Sequence, residues 1–221
     1  MDFDYSRLCD PEYYRENRLD AHSDHEFYPS CEALEAGEND LKLSLNGSWK
    51  FFYALNHDQV IPGFESAEYD CRPWADLPVP AHVQMEGYGV PQYCNTEYPW
   101  DGHEALRPGQ IPEQFNPVAC YAKYFYLPEQ MKGKRVFICF QGAESCLALW
   151  VNGRYVGFAT DSFTPDEFEI TDYLREGEIS LPAASTAGAP APGQKTRTLC
   201  VSAASSAMYT SMLFRMYISG T

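Results

Sequence analysis

The stretch Cys146-Leu147-Ala148-Leu149-Trp150-Val151-Asn152-Gly153-Arg154-Tyr155-Val156-Gly157-Phe158 joins two strand-like runs through Asn-Gly. A two-residue type I′ turn needs positive φ at both central positions, and Asn-Gly supplies them at the lowest steric cost. The stretch therefore predicts a β-hairpin. Upstream, Tyr121, Lys123, Phe125 and Leu127 alternate with Ala122, Tyr124 and Tyr126, the period of a strand with at least one buried face. Arg135 to Phe140 reads as a second, more apolar strand, and Asp166 to Ile170 as a further short one. Thr171 is placed to cap a turn of helix over Asp172-Tyr173-Leu174-Arg175.

Working toward the N-terminus, Leu45 to Tyr53 is a turn leading into an aromatic strand, and residues 54 to 118 are rich in Pro, Gly and Tyr, as loops with short strands are. The first forty residues are polar and irregular, broken at Asp10-Pro11 and Tyr28-Pro29, and read as an arm lying over something else. Many short strands with turn signals and little helix predict an all-β sandwich or jelly roll.

Hydrophobic residues make up 45% and aromatics 15%, which suits a globular chain rather than a disordered one. A formal charge of −15 argues against a nucleic-acid partner, because phosphate binding needs a surplus of Lys and Arg. No apolar run is long enough for a membrane helix. The N-terminus lacks the basic and apolar stretches of an export signal. The eight cysteines are scattered without a Cys-x-x-Cys pair, so reduced thiols in a cytoplasmic protein are expected, and no structural zinc.

Four stretches, in order, resemble the β-galactosidases of glycoside hydrolase family 2: Glu16-Asn17-Arg18-Leu19 with His22-Ser23-Asp24-His25; Leu45-Asn46-Gly47-Ser48-Trp49; Pro91 to Pro99, containing Asn95-Thr96-Glu97-Tyr98-Pro99; and Trp150 to Gly153 with Gly157, Asp161-Ser162 and Glu167-Phe168. The resemblance spans residues 12 to 178. It implies a galactose-binding-domain-like jelly-roll sandwich over 43–178, preceded by an arm over 1–42. In such enzymes the domain stands before a barrel carrying two catalytic glutamates. This chain is expected to be truncated ahead of that barrel and inactive alone, so no catalytic residue is assigned.

The resemblance implies that Asn95 and Asp161 reach into the galactose subsite. A carboxamide and a carboxylate suit sugar hydroxyls as donor and acceptor. Asp161 is also the candidate for holding a monovalent cation. Intact family members use Mg2+ together with Na+ or K+, and the parent is expected to be a homo-oligomer. The bland alternative is that Asn95 caps a turn and Asp161 orders a loop. Two other readings stay open: a stand-alone lectin-like module, and the same domain from a β-glucuronidase or β-mannosidase.

Other residues read more simply. His22 and His25 resemble a metal pair only superficially, lacking a third ligand and a helix, so polar loop histidines are expected. Trp49, Trp74 and Trp150 are candidate sugar-stacking rings, but Trp49 and Trp150 fall within strand patterns where core packing is the stronger reading. Trp100, in a loop after Tyr98-Pro99, fits either role. Cys94 has no neighbour that would activate it and is expected to pack.

The tail differs in kind. All 31 acidic residues precede residue 179, and the rest is rich in Ala, Ser, Thr and Pro. Back-translated with a free choice among synonymous codons, Gly193 to Tyr209 read in a shifted frame gives Pro-Glu-Asp-Gln-Asp-Phe-Val-Arg-Phe-Cys-Gly-Ile-Phe-Arg-Asp-Val, close to the family's continuation. Restoring one base after the Glu178 codon gives Glu-Asn-Leu-Phe-Ala. Residues 179–221 are therefore expected to be an out-of-frame, poorly ordered tail.

Overall fold

The computed structural model describes residues 3–10, 12–22, 27–89, 103–107, 110–143, 145–160 and 164–186, together with the backbone of Phe214–Ile218. Among these residues eleven strands form two antiparallel sheets, an all-β sandwich of jelly-roll type: β1 (Arg15–Glu16), β2 (Lys42–Ser44), β3 (Gly47–Ala54), β4 (Ala75–Val79), β5 (Val118–Tyr126), β6 (Val136–Phe140), β7 (Cys146–Val151), β8 (Arg154–Ala159), β9 (Asp166–Glu169), β10 (Glu178–Thr186) and β11 (Phe214–Ile218). The larger sheet runs β1-β8-β7-β10-β5-β3-β4 and the smaller β2-β11-β6-β9.

The hairpin forms as the sequence requires. Asn152 takes φ 52° and Gly153 φ 80°, the left-handed conformations of a type I′ turn. Gly153 is needed twice over, since a Cβ there would lie 2.5 Å from the Ala67 backbone nitrogen.

Every residue of β7 is buried, rather than alternate ones. The large sheet is covered on both faces, which removes the usual polar side. Leu147, Leu149 and Val151 face the smaller sheet and pack with Ile138, Phe140 and Phe168. Cys146, Ala148 and Trp150 belong to a second cluster on the outer face, with Phe158 and Phe64. The N-terminal arm roofs that cluster with Leu8, Phe3, Tyr5 and Tyr13. Burying one such aliphatic or aromatic side chain stabilises by about 1.5–3 kcal/mol, so the arm contributes to the core. It is also partly regular: it carries a 3-10 helix over Tyr5–Cys9, the edge strand β1 and a helix α1 (Cys31–Ala36).

Two expectations are corrected. The sandwich does not end at residue 178. Ile179–Thr186 lie in β10, an inner strand between β5 and β7, with Ile179, Leu181 and Ala183 in the inter-sheet core. β11, deeper in the tail, pairs with both β2 and β6. Strand pairing is made by backbone groups that every non-proline residue carries. Ile179, Leu181 and Ala183 supply the alternation that a buried face needs. Residues 179–186 are therefore part of the sandwich and not of a poorly packed tail; residues 187–213 and 219–221 lie outside the described residues. Thr171, second, does not cap its turn. The 3-10 turn Thr171–Tyr173 starts after Ile170, and the Thr171 hydroxyl accepts from the Val136 N–H at 2.9 Å and donates to Glu169.

Candidate functional site

Asn95 and Asp161 both lie outside the described residues, as do Cys94, Trp100 and His25. The structure shows how the chain is held on either side of them. Strand β8 leads into the Asp161 loop, and description resumes at Thr164 just before β9.

The N-terminal arm grips both ends of that loop. On the near side β1 pairs with β8, Arg15 opposite Ala159 and Glu16 opposite Phe158. Gly157 permits this approach, because a Cβ there would sit 2.5 Å from the Glu16 carbonyl oxygen and 2.7 Å from the Phe168 ring. Thr160 then donates through both its N–H and its hydroxyl to the Tyr14 carbonyl, each at 3.1 Å. On the far side Arg18 Nε lies 2.5 Å from Asp166 Oδ1, with the two side chains 8% and 1% exposed. Arg18 Nη2 also donates to the Pro165 carbonyl at 3.3 Å. Leu19 N–H donates to the Glu167 carbonyl, and His22 Nε2 meets the Glu167 carboxylate at 2.6 Å. Between these contacts Asn17, at φ 55°, turns the arm and donates from Nδ2 to the Val156 carbonyl. Asn tolerates this left-handed conformation better than most residues.

Glu16 gathers a small polar group beneath the arm. Its carboxylate accepts from the Tyr13 and Tyr155 hydroxyls, with Arg7 3.9 Å away. Burial, and then the hydrogen bond to Glu16, raise the Tyr13 phenol above its ordinary value. Burial, with the nearby Asp166 carboxylate adding to it, raises the Cys146 thiol well above its ordinary value.

The chain returns from the Asn95 segment at His103, which stacks on Phe115 at 4.0 Å. Glu104 anchors this return by accepting from the N–H groups of Glu113, Gln114 and Phe115 at 3.0–3.2 Å. Burial works to raise its pKa, but the three donors hold it below the ordinary glutamate value.

The remaining sequence candidates resolve without a ligand. Trp49 is buried in the inter-sheet core and donates from Nε1 to the Leu45 carbonyl. Trp150 is buried in the outer cluster, and Trp74 packs against that cluster's edge. Cys9, Cys31, Cys71, Cys120, Cys139 and Cys146 are thiols rather than disulfides. Among the described residues no three His, Cys, Asp or Glu side chains converge to hold a metal ion. The position named for a monovalent cation, Asp161, is outside them. No helix among the described residues is long and apolar enough to cross a membrane. Sequence reasoning missed the role of Arg18, Asp166 and His22. The Glu16-to-His22 stretch was visible as a motif, but nothing in one sequence says which acids its cations meet.

This fold matches a defined family. Residues 42–184 match the model of "Glycosyl hydrolases family 2, sugar binding domain", and the chain belongs to that family. The match extends through most of β10, in agreement with the packing of that strand. Within the family the chain is 49% identical over 177 residues to a β-galactosidase of Streptococcus thermophilus, covering 80% of this chain and 17% of that protein. It is equally similar to a β-galactosidase of Halalkalibacterium halodurans, of which it covers 18%. The chain thus spans about a sixth of the length of these relatives. A solved family 2 glycosyl hydrolase from Bacteroides cellulosilyticus shares the fold, with a TM-score of 0.52 at 20% identity over 81% of this chain and 21% of that one.

Proposed function

We propose that this chain is the sugar-binding module of a glycoside hydrolase that acts on terminal β-D-galactosides. Asn95 and Asp161 share a galactose subsite in it, and the hydrolytic glutamates belong to domains beyond the sandwich. The observation that carries this reading is the near-half identity, over this domain, to relatives that are themselves β-galactosidases. The thiol state of the described cysteines supports a cytoplasmic setting. A shared subsite requires the Asn95 and Asp161 side chains to come within about 10–12 Å of each other, the span of one bound sugar.

With most of the sugar's partners outside the domain, galactose binds weakly, with a Kd of about 1 mM or higher, which corresponds to no more than about 4 kcal/mol. Titration of galactose into the 221-residue chain, followed by amide chemical shifts, tests this. Expected are saturable shifts near residues 95 and 161 that disappear in Asp161→Ala and in Asn95→Ala, with glucuronate producing none. Shifts that survive both substitutions would sink the assignment.

A further inference from the structure

We propose that Asn46 is a site of spontaneous covalent modification, where the chain deamidates through Gly47 and passes to a mixture of aspartate and isoaspartate. The reaction is independent of whether the chain binds galactose.

The sequence contains two Asn-Gly pairs, Asn46-Gly47 and Asn152-Gly153. Asparagine is among the thermolabile residues, and a following glycine has no Cβ to shield its amide nitrogen. That nitrogen attacks the asparagine side-chain carbon Cγ. The N–Cγ bond forms, the Cγ–Nδ2 bond breaks, and Nδ2 takes up the glycine N–H proton and leaves as ammonia. One water then opens the cyclic imide. Attack at Cγ gives aspartate. Attack at the asparagine's main-chain carbonyl carbon gives isoaspartate, in which the main chain runs through Cβ and Cγ. Water is the only co-reactant.

The fold treats the two pairs differently. Asn152 is half-buried and its amide is bound at both ends, Oδ1 accepting from the Ser180 N–H and Nδ2 donating to the Tyr173 carbonyl. The Ala67 backbone stands against Gly153. Ring closure there strips partners from two other elements and must turn the amide in a crowded space. Asn46, Gly47 and Ser48 are all exposed. A Cβ built on Gly47, at φ 110°, would meet no atom within 4 Å, so the neighbourhood of this pair is open.

The position makes the change matter. Asn46 lies on the short arch that carries the chain from β2 in the small sheet to β3 in the large one. Both sides of it are fixed: Leu45 is buried between the sheets, and its carbonyl accepts from Trp49 Nε1 at 2.8 Å. Isoaspartate lengthens the main chain by a carbon between Leu45 and Trp49. Either the seat of Leu45 or the indole hydrogen bond must then shift, and the modified chain is less stable than the fresh one.

The test ages the full 221-residue chain at mildly alkaline pH and follows two tryptic peptides by mass spectrometry, Leu43–Lys50 for the first pair and Val136–Arg154 for the second. Isoaspartate is identified by labelling with an isoaspartate-specific methyltransferase. In the folded chain Leu43–Lys50 should convert at least about tenfold faster than Val136–Arg154, as expected when one pair reacts in place and the other must first open locally. In urea the two rates should converge, because only the fold separates them. Asn46→Gln should abolish conversion in the first peptide and leave the second unchanged, since the longer side chain closes a less favourable ring. The isoaspartate-enriched chain should unfold at lower urea than Asn46→Asp, which carries the same charge without the lengthened main chain. An unmodified Leu43–Lys50 after ageing of the folded chain overturns the proposal. So do equal rates at both pairs while the chain is folded. An isoaspartate form with the midpoint of Asn46→Asp overturns the loss of stability assigned to the arch.

Discussion

Asn152 and Ser180 exchange hydrogen bonds: the Asn152 N–H donates to the Ser180 carbonyl at 2.8 Å, and the Ser180 N–H donates to Asn152 Oδ1 at 3.1 Å. The Asn152 Nδ2 group also donates to the Tyr173 carbonyl. One turn residue therefore joins the β7–β8 hairpin to the start of β10 and to the 3-10 turn that precedes it. The asparagine that makes the tight turn also docks the strand that completes the sheet.

Asn152→Ala should cost about 1–3 kcal/mol, since it forfeits the left-handed tolerance of asparagine and leaves the Ser180 N–H and Tyr173 carbonyl short of partners. Urea unfolding of the chain measures this. A loss below 0.5 kcal/mol, the scale of a neutral surface change, would show that β10 docks without it.

Leu181 tests whether the tail is structural. Its side chain is buried between the sheets, so Leu181→Ala should destabilise by about 2–5 kcal/mol, as large-to-small changes in cores do. Truncation after Glu178 should abolish cooperative unfolding, because it removes the inner strand of the large sheet and β11 of the small one. A truncated chain with an unaltered urea midpoint would contradict the topology.

Gly157→Ala should push the arm off β8. The added carbon meets backbone at Glu16 and an aromatic ring that is itself buried, and overpacking of this kind costs about 1–3 kcal/mol. Faster cleavage by trypsin at Arg15 and Arg18, relative to sites in residues 118–160, is the expected signature.

The Glu104 carboxylate sets an acid limit near the Asn95 segment. Its folded pKa lies below the ordinary 4.5 because of its three N–H partners. The unfolded chain therefore binds the proton more readily. The contribution is present above about pH 4.5 and is lost as pH falls through the folded value. Glu104→Gln should flatten the dependence of the unfolding midpoint on pH below about 4.5. A variant with the same acid slope as the parent chain would refute the assignment.

We also infer a shifted reading frame from residue 179, carried by the codon argument. Nucleotides beyond the Thr221 codon should continue the family's sequence in a frame offset by one base. Their continuation in neither offset frame would remove that inference.

The hairpin was legible because Asn152-Gly153 encodes its turn locally, β5 because its alternation survives in a short window, and β3 and β6 because their aromatic and apolar runs do. β10 was not. Ser180, Ala184 and Ser185 weaken its pattern, and Pro182 is a residue normally excluded from inner strands for want of an N–H. Continuing the register that pairs Ala183 with Leu149 places Pro182 opposite Trp150, where the ladder loses one donor. The strand forms because β5 and β7 leave a slot of the right width, and that is a property of distant residues. The grip of the arm was hidden for a related reason. Arg18 and Asp166 are far apart in the chain, and only the folded sheet brings them together. Asn95 and Asp161 were found through family resemblance, since an asparagine or an aspartate in a loop carries no local sign of what it binds.

The central position of β10 bears on how this molecule is born. β5 and β7 have no pairing with each other and meet only through a strand that follows both in the chain. During synthesis, the β3–β4–β5 piece and the β7–β8 piece must wait as two half-sheets, each exposing a row of unsatisfied N–H and C=O groups. Such edges invite pairing with other nascent chains, and closing them last makes folding slow. Translation that outpaces this closure should yield aggregates on crowded polysomes. A ribosome pausing soon after residue 186 clears the exit tunnel should favour the native sandwich.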